Sequence, residues 1–573
     1  MAFAIPGLGL RGGKASDGGR GPATRRGDAI MRMGRGRIAI AIACFVGVYA
    51  VIGGRLVQYG LTELDDQARY GVNDRIMAAR PDLLDRRGNL LATDIRVASL
   101  YGEPRRIIDP DEAVEALSSV LPDVDYKEWH RKLSSGAGFV WLRREISPKE
   151  QAAVMALGIP GIGFRNETRR FYPGGPTASH IVGLVNIDNA GTAGIEKFVD
   201  DQGLATLQEM GLDQSDDLEP VRLSIDAGVQ HIVRDELVQA MERYQAIAAG
   251  GVVLDVRTGE VVAMVSLPDY DPNNPFNALD KDRLNRMSAG TFEMGSTFKA
   301  FTTAMALDSG QVTLDSRFDA RKPLRFGRFT INDFHGKNRV LTVPETFIYS
   351  SNIATARMAE VIGVEGHRAF LKRMGLLDRM DTQLPEVARP TEPDQWKQLN
   401  SVTISFGHGV STTPLQTAVA AAALVNGGRL IPPSFIPRSQ DAADRAATQV
   451  LKPETSAMMR YLFRLNVEEG SGRRAEVEGL FVGGKTGTAE KVVNGRYSGD
   501  HRFNAFLAAF PMDDPEYVVL VIIDEPKPAE GQYSATAGLN AAPTTRAIIS
   551  RAAPVLPVTP RYDVDRDALL VSY

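Results

Sequence analysis

The chain has 573 residues, of which 43% are hydrophobic and 24% charged, with a formal net charge of −4. That length exceeds the roughly 250–300 residues that one hydrophobic core serves, so at least two folded domains are expected. The near-balanced charge gives no sign of a nucleic-acid partner, and the single cysteine, Cys44, excludes an intrachain disulfide and any cysteine-built metal site.

At the amino terminus, residues 1–37 are rich in Gly and Arg and read as a disordered basic segment. Uncharged residues then run from Ile38 through Gly54, at the short limit for spanning a bilayer, and a snorkelling Arg55 extends the run to residue 57. Arg11, Lys14, Arg20, Arg25, Arg26, Arg32, Arg35 and Arg37 face only Asp17 and Asp28, which keeps this end cytoplasmic by the positive-inside rule. The expectation is an uncleaved single-pass anchor over 38–57 in the inner (cytoplasmic) membrane, with all that follows in the periplasm. A cleaved signal fits less well, because the run is long and no small-x-small site follows it. Within such an anchor Cys44 is a packing residue.

Residues 61–220 mix short β-like pieces with helical stretches, including Pro110 to Leu121 and Pro148 to Leu157, and show no repeat. The pattern changes near Val221. Leu223 to Ile225 reads as a short strand, Asp226 as a helix N-cap, and Val229, Ile232, Val233, Leu237, Ala240 and Met241 recur at helical spacing. Gly251 to Val256 and Val261 to Ser266 are β-rich runs joined by the turn Arg257-Thr258-Gly259-Glu260, so they form adjacent antiparallel strands. After a mostly helical stretch, strand signals return at Phe481 to Val493, Phe503 to Phe510 and Tyr517 to Asp524, and a helix closes the run from Pro543 to Ala552. The predicted class is α+β: a noncatalytic pedestal over 61–220, then a domain over 221–555 with a five-stranded antiparallel sheet covered by helices, and a tail over 556–573.

Three motifs fall in the second domain: Ser296-Thr297-Phe298-Lys299, Ser350-Ser351-Asn352 and Lys485-Thr486-Gly487-Thr488. Ser296 opens a helical run from Thr297 to Leu307, and helix spacing sets Lys299 beside it. A serine hydroxyl needs a base to become a nucleophile, and a lysine serves once burial or nearby positive charge, here Lys485, lowers its pKa. Ser350 offers a hydroxyl relay and Asn352 an amide for a substrate carbonyl or for Lys299; each is equally suited to a helix cap. Strand alternation directs Lys485 and Gly487 to one face and Thr486 to the other, giving a cation, a hydroxyl and a close approach that suit a carboxylate-bearing extended peptide. No phosphate-binding glycine loop and no histidine-carboxylate metal spacing is present, and His335, His408 and His501 are assigned structural or surface roles.

Taken together, the three motifs match the combination found in penicillin-binding proteins and class A β-lactamases. The wider sequence resembles a class B penicillin-binding protein of the septal, division-associated type. Arg80-Pro81, Asp85-Arg86-Arg87-Gly88, Arg170-Phe171-Tyr172-Pro173, His180-Ile181-Val182-Gly183 and Gly191 to Glu196 resemble that family's amino-terminal module. Gly407-His408-Gly409 with Thr413-Pro414-Leu415-Gln416 resembles a further element of its catalytic domain. The resemblance implies a D,D-transpeptidase that cross-links peptidoglycan stem peptides at the septum without metal or organic cofactor. It further implies β-lactams as inhibitors, and a septal glycan polymerase and other divisome membrane proteins as partners. By the same resemblance Ser296 is the acylated nucleophile, Lys299 its base, Ser350 a proton relay and Asn352 a positioning amide. Lys485 and Thr486 bind the terminal carboxylate beside Gly487, and the N–H groups of Ser296 and Thr488 form the oxyanion hole. An elongation-type transpeptidase, a β-lactamase and a noncatalytic divisome scaffold are the alternatives.

Overall fold

The computed structural model describes residues 45–54, 80–204, 219–327, 329–493 and 495–570. Residues 1–76 and 77–573 form separate compact units. In the first, residues 45–54 are helical. Cys44, the basic segment 1–37 and the rest of the predicted anchor lie outside the described residues. No helix among the described residues is long and apolar enough to cross a membrane.

In the second unit the pedestal is built on strand β1 (Leu90–Gly102), which pairs antiparallel with β2 (Val140–Ile146) and β3 (Ile162–Phe171). Helices α1 (Pro110–Val120), α2 (Tyr126–Leu133) and α3 (Pro148–Leu157) enclose a small core around Leu100, Leu117, Trp129 and Leu142. Each starts as its sequence dictates. Asp109, Asp125 and Ser147 cap the three N-termini, and Ser147 with Glu150 completes a capping box.

Three of the amino-terminal signatures converge in one buried ion cluster. Glu196 accepts from Arg80 Nε at 2.8 Å and from Arg170 Nε at 2.7 Å, while Arg170 also reaches Asp94 at 3.1 Å. The Asp85-Arg86-Arg87 turn joins the pedestal to the second domain. Asp85 accepts from the Ala227 N–H, Arg87 pairs with Asp226 at 2.7 Å, and Arg86 pairs with Glu260. The short strands Leu83–Leu84 and Val221–Arg222 run parallel across the same junction.

The second domain opens with α4 (Ala227–Tyr244), capped by Asp226, and the hairpin β4 (Ala248–Asp255) and β5 (Val261–Leu267). Helices α5 (Phe298–Asp308), α6 (Asn352–Ile362), α7 (Pro414–Val425) and α8 (Pro453–Glu468) follow. Then come β6 (Gly483–Val493), β7 (Arg496–Phe510), β8 (Tyr517–Asp524) and α9 (Ala541–Ala552). The strands form one antiparallel sheet in the order β6-β7-β8-β4-β5, which leaves β6 at an edge.

Strand alternation sorts the side chains between two helical layers. Val252, Leu254, Leu507, Leu520 and Ile522 pack toward Phe298, Phe301, Ala418 and Phe463. Val253, Phe506, Val519, Val521 and Ile523 pack toward Val229, Val233, Leu237, Ile548 and Ile549. Because both faces are buried, these strands read as continuous apolar runs rather than alternating ones.

The stretch predicted as a tail is docked instead of trailing. Leu556, Val558 and Leu569 are buried, and Arg566 pairs with Glu468 and Glu469 of the α8 terminus. Isolated apolar anchors and arginine pairs hold it, so no periodicity marks it in sequence.

Candidate active site

Ser296 sits in a 3-10 turn, Gly295–Thr297, that leads directly into α5. Residues three apart share a helical face, so Lys299, at the start of α5, follows on the face that carries Ser296. The turn is pinned from two sides by backbone. A Cβ on Gly487 of β6 would stand 2.5 Å from the Met294 carbonyl oxygen, and one on Gly407 would stand 1.9 Å from the Gly295 carbonyl oxygen. Only glycine permits either approach, and Gly407 also has a positive φ of 92°. The Ser-x-x-Lys turn, the Gly407 loop and the Lys485 strand are thereby fixed against one another.

Lys299 is buried, and its ammonium donates to the Ser350 carbonyl and, at 3.0 Å, to Ser350 Oγ. Lys485, fully buried, donates to the same Ser350 Oγ at 3.0 Å and to the Thr486 carbonyl at 3.3 Å. Ser350 bridges the two lysines, and it does so with φ at 54°, a left-handed conformation costly for a residue with a Cβ. The strain sits where the chain passes from the helix Val343–Ile348 into α6.

Two ammonium groups sharing one hydroxyl in a water-poor site cannot both stay charged without cost. Burial, and then the neighbouring Lys485, hold Lys299 well below the usual lysine range, although Asp333 pulls the other way. Burial alone brings Lys485 down to about 7. A neutral Lys299 has a lone pair with which to take a proton from Ser296, and Ser350 can pass that proton onward.

Lys485 and Gly487 point to the side of β6 that faces Ser350 and the Ser296 turn, whereas Thr486 Oγ1 meets Ser471 Oγ at 2.6 Å. Ser471 is held in turn by Asn466, whose amide donates to the Gly484 carbonyl at 2.7 Å. Thr488 Oγ1 accepts from the Ala537 N–H at 3.1 Å. The Thr488 backbone lies against Gly295, where a Cβ would be 2.9 Å from its carbonyl atoms.

Asn352 is arranged differently from the other members. Its amide donates to the Asn332 carbonyl at 2.9 Å, and among the described residues the hydrogen bonds of Lys299 run to Ser350 alone. Ser351 is the residue that caps α6, through the Ala354 N–H. Asp333 receives both the Ser351 hydroxyl at 2.8 Å and the Ile353 N–H at 3.0 Å, so it staples the start of the helix that follows Ser350.

Sequence reasoning missed Asp333, Asn466 and Ser471, which lie in irregular segments or outside the motifs. Glu293 was missed as well: it stands three residues before Ser296 and accepts from His408, Gly409 and Tyr497. His408, expected to be structural or on the surface, belongs to this group. His501 pairs with Glu525 at 2.8 Å on β8's outgoing turn.

The sheet, its two helical layers and the meeting of turn, helix start and edge strand define the penicillin-binding transpeptidase fold. Residues 249–550 match the penicillin binding protein transpeptidase domain, and residues 75–216 match the penicillin-binding protein dimerisation domain. The chain belongs to the class B penicillin-binding proteins.

It is 39% identical over 538 residues to the probable peptidoglycan D,D-transpeptidase FtsI of Caulobacter vibrioides, spanning 90% of this chain and 87% of that one. It is 31% identical to the probable peptidoglycan D,D-transpeptidase PenA of Neisseria gonorrhoeae, spanning 91% and 92% of the two chains. A solved structure, penicillin binding protein 3 from Mycobacterium tuberculosis complexed with aztreonam, shares the fold. Its TM-score is 0.64 at 23% identity, over 84% of this chain and 97% of that one.

Proposed function

We propose that this chain is a membrane-anchored serine D,D-transpeptidase that cross-links peptidoglycan stem peptides at the division septum. The observation that carries the chemistry is the convergence of two buried lysines on Ser350 Oγ beside the Ser296 turn. In the reaction a neutral Lys299 removes the Ser296 proton, and the freed oxygen attacks the penultimate D-Ala carbonyl of a donor stem. The oxyanion is met by the N–H groups of Ser296 and Thr488. Ser350 carries the proton to the departing D-Ala amine. Lys485 and Thr486 hold the terminal carboxylate, and Asn352, with its amide at the start of α6, contributes to substrate positioning. An amine of a neighbouring stem then resolves the acyl-enzyme.

Similarity to the FtsI of Caulobacter supports the septal role, and the uncharged run over 38–57 supports an inner-membrane anchor with a periplasmic catalytic domain. β-Lactams would trap Ser296 as stable esters, since the opened ring stays attached. A septal glycan polymerase and other divisome membrane proteins are the partners this role requires. Mass spectrometry of the intact chain with a penicillin tests the chemistry. One adduct is expected on Ser296 and none on Ser296→Ala; undiminished labelling of that variant removes Ser296 from the role, and rapid release of hydrolysed drug would make the chain a β-lactamase. Depletion should give filaments, and rounded cells would instead mean an elongation enzyme.

A further inference from the structure

Glu293 lies on the approach to the nucleophile turn, where its neighbour Phe292 bridges to Thr412. Three donors hold its carboxylate. The Gly409 N–H at 2.8 Å and the Tyr497 hydroxyl at 3.1 Å reach Oε1, and His408 Nδ1 reaches Oε2 at 3.1 Å. A carboxylate that accepts from Nδ1 selects the imidazole tautomer whose lone pair is on Nε2. That nitrogen has no hydrogen-bond partner among the described residues, and the side chain keeps 22% of its surface open.

The ring is also fixed in orientation. Tyr497 meets it edge-on at 5.1 Å and Phe406 at 5.7 Å. Tyr497 reaches this place because β7 pairs out of register with β6 between Glu490 and Lys491, which re-aims the hairpin tip. Burial, and then Glu293, push the Tyr497 phenol up, so it stays a donor to the carboxylate and does not compete as a base. Since Gly407 abuts Gly295, His408 is an oriented base one residue from a backbone contact with the nucleophile turn.

Acylation of Ser296 is served by Lys299 and Ser350 and leaves this pair without a task. The second half of the transpeptidase reaction supplies one. A side-chain amine with an ordinary pKa of about 10.4 is neutral in only about one molecule in 2,500 at neutral pH, so an acceptor arrives as an ammonium that cannot attack. We infer that His408, oriented by Glu293, is the base that takes the proton an acceptor ammonium must shed before it attacks the Ser296 acyl-enzyme. The inference rests on the transpeptidase reading above.

The step balances without a further reactant. One proton passes from the ammonium to Nε2 and on to solvent. The amine lone pair then forms the C–N bond, the bond between the acyl carbon and Ser296 Oγ breaks with its electron pair going to Oγ, and a second amine proton returns to that oxygen through Ser350 and Lys299. The charged and titratable groups around His408 are Glu293 before the turn, Tyr497 on β7 and, beyond Tyr497, Glu490 on β6. Both carboxylates favour an approaching cation.

The acyl-enzyme formed from a depsipeptide thioester partitions between water and an added diamino acid, so the ratio of amine product to water product reads the second half alone. His408→Gln keeps a donor toward Glu293, and His408→Phe keeps the edge-on packing. Both should lower that ratio at least about tenfold at neutral pH. The deficit should close near about pH 10, where much of the amine is neutral unaided. An unchanged ratio, or a deficit equally large at both pH values, overturns the assignment. So does loss of penicillin labelling in both variants, which would make His408 a structural residue. Failure of the unaltered chain to form any acyl-enzyme would instead overturn the transpeptidase reading.

Discussion

Raising the pH through about 7 should weaken acylation of Ser296 by any β-lactam that carries a carboxylate, because burial brings Lys485 to about 7 and its ammonium is the partner proposed for the carboxylate. One pH unit above its pKa roughly one lysine in eleven is still charged, so the second-order acylation constant should fall about tenfold per unit, or ~1.4 kcal/mol. On the acid side the rate requires neutral Lys299, which burial and Lys485 hold well below the usual range, so the rising limb lies at lower pH. Stability should move the other way. A lysine whose folded pKa is depressed costs stability while charged; that cost is full below about 7 and fades as pH rises toward the unfolded value of about 10.4. Between those limits the domain should grow more stable while acylation declines, which separates titration of the site from unfolding. Stopped-flow acylation with a fluorescent penicillin and with its methyl ester is the assay. A flat profile from about pH 6 to about pH 9, or an equal decline for the ester, would refute the role given to Lys485.

Two further outcomes are expected. Gly487→Ala puts a Cβ 2.5 Å from the Met294 carbonyl oxygen and 2.7 Å from Thr297 Cγ2, so β6 must back away from the nucleophile. Penicillin acylation should fall about a hundredfold, and a rate within threefold of the parent would contradict the packing argument. Glu196→Gln leaves Arg80 and Arg170 short of the charge between them, a buried loss of about 3–5 kcal/mol. Urea unfolding measures it, and a change under about 1 kcal/mol would mean that Asp94 beside Arg170 and Asp200, 2.6 Å from Arg80, suffice.

Elements whose signals are local were legible in the sequence. The caps at Asp226 and Ser147, the Arg257 to Glu260 turn and the apolar run from Tyr517 to Asp524 each carry their structure in neighbouring residues. The motif residues Ser296, Lys299, Ser350 and Lys485 could be named because spacing and company identify them. What spacing does not convey is long-range pairing: that Ser350 lies between both lysines depends on a left-handed residue, and that Thr486 is held from Ser471 depends on a loop. Glu293 and His408 are separated by more than a hundred residues and meet only because two glycine backbones touch. Arginines and isolated leucines hold residues 556–570 to the domain without any period to reveal them.

The close seat of Gly407 and Gly487 on the turn bearing Ser296 bears on how such an enzyme changes over time. Main chain against main chain offers no side group for substitution to trim, and any added carbon displaces the reacting oxygen. On the function proposed above, heritable variation that weakens acylation by β-lactams while sparing wall synthesis is expected to enter one layer out. The segments that hold these strands and loops in register, among them those bearing Asp333, Ser471 and Tyr497, are where such variation can act by degrees.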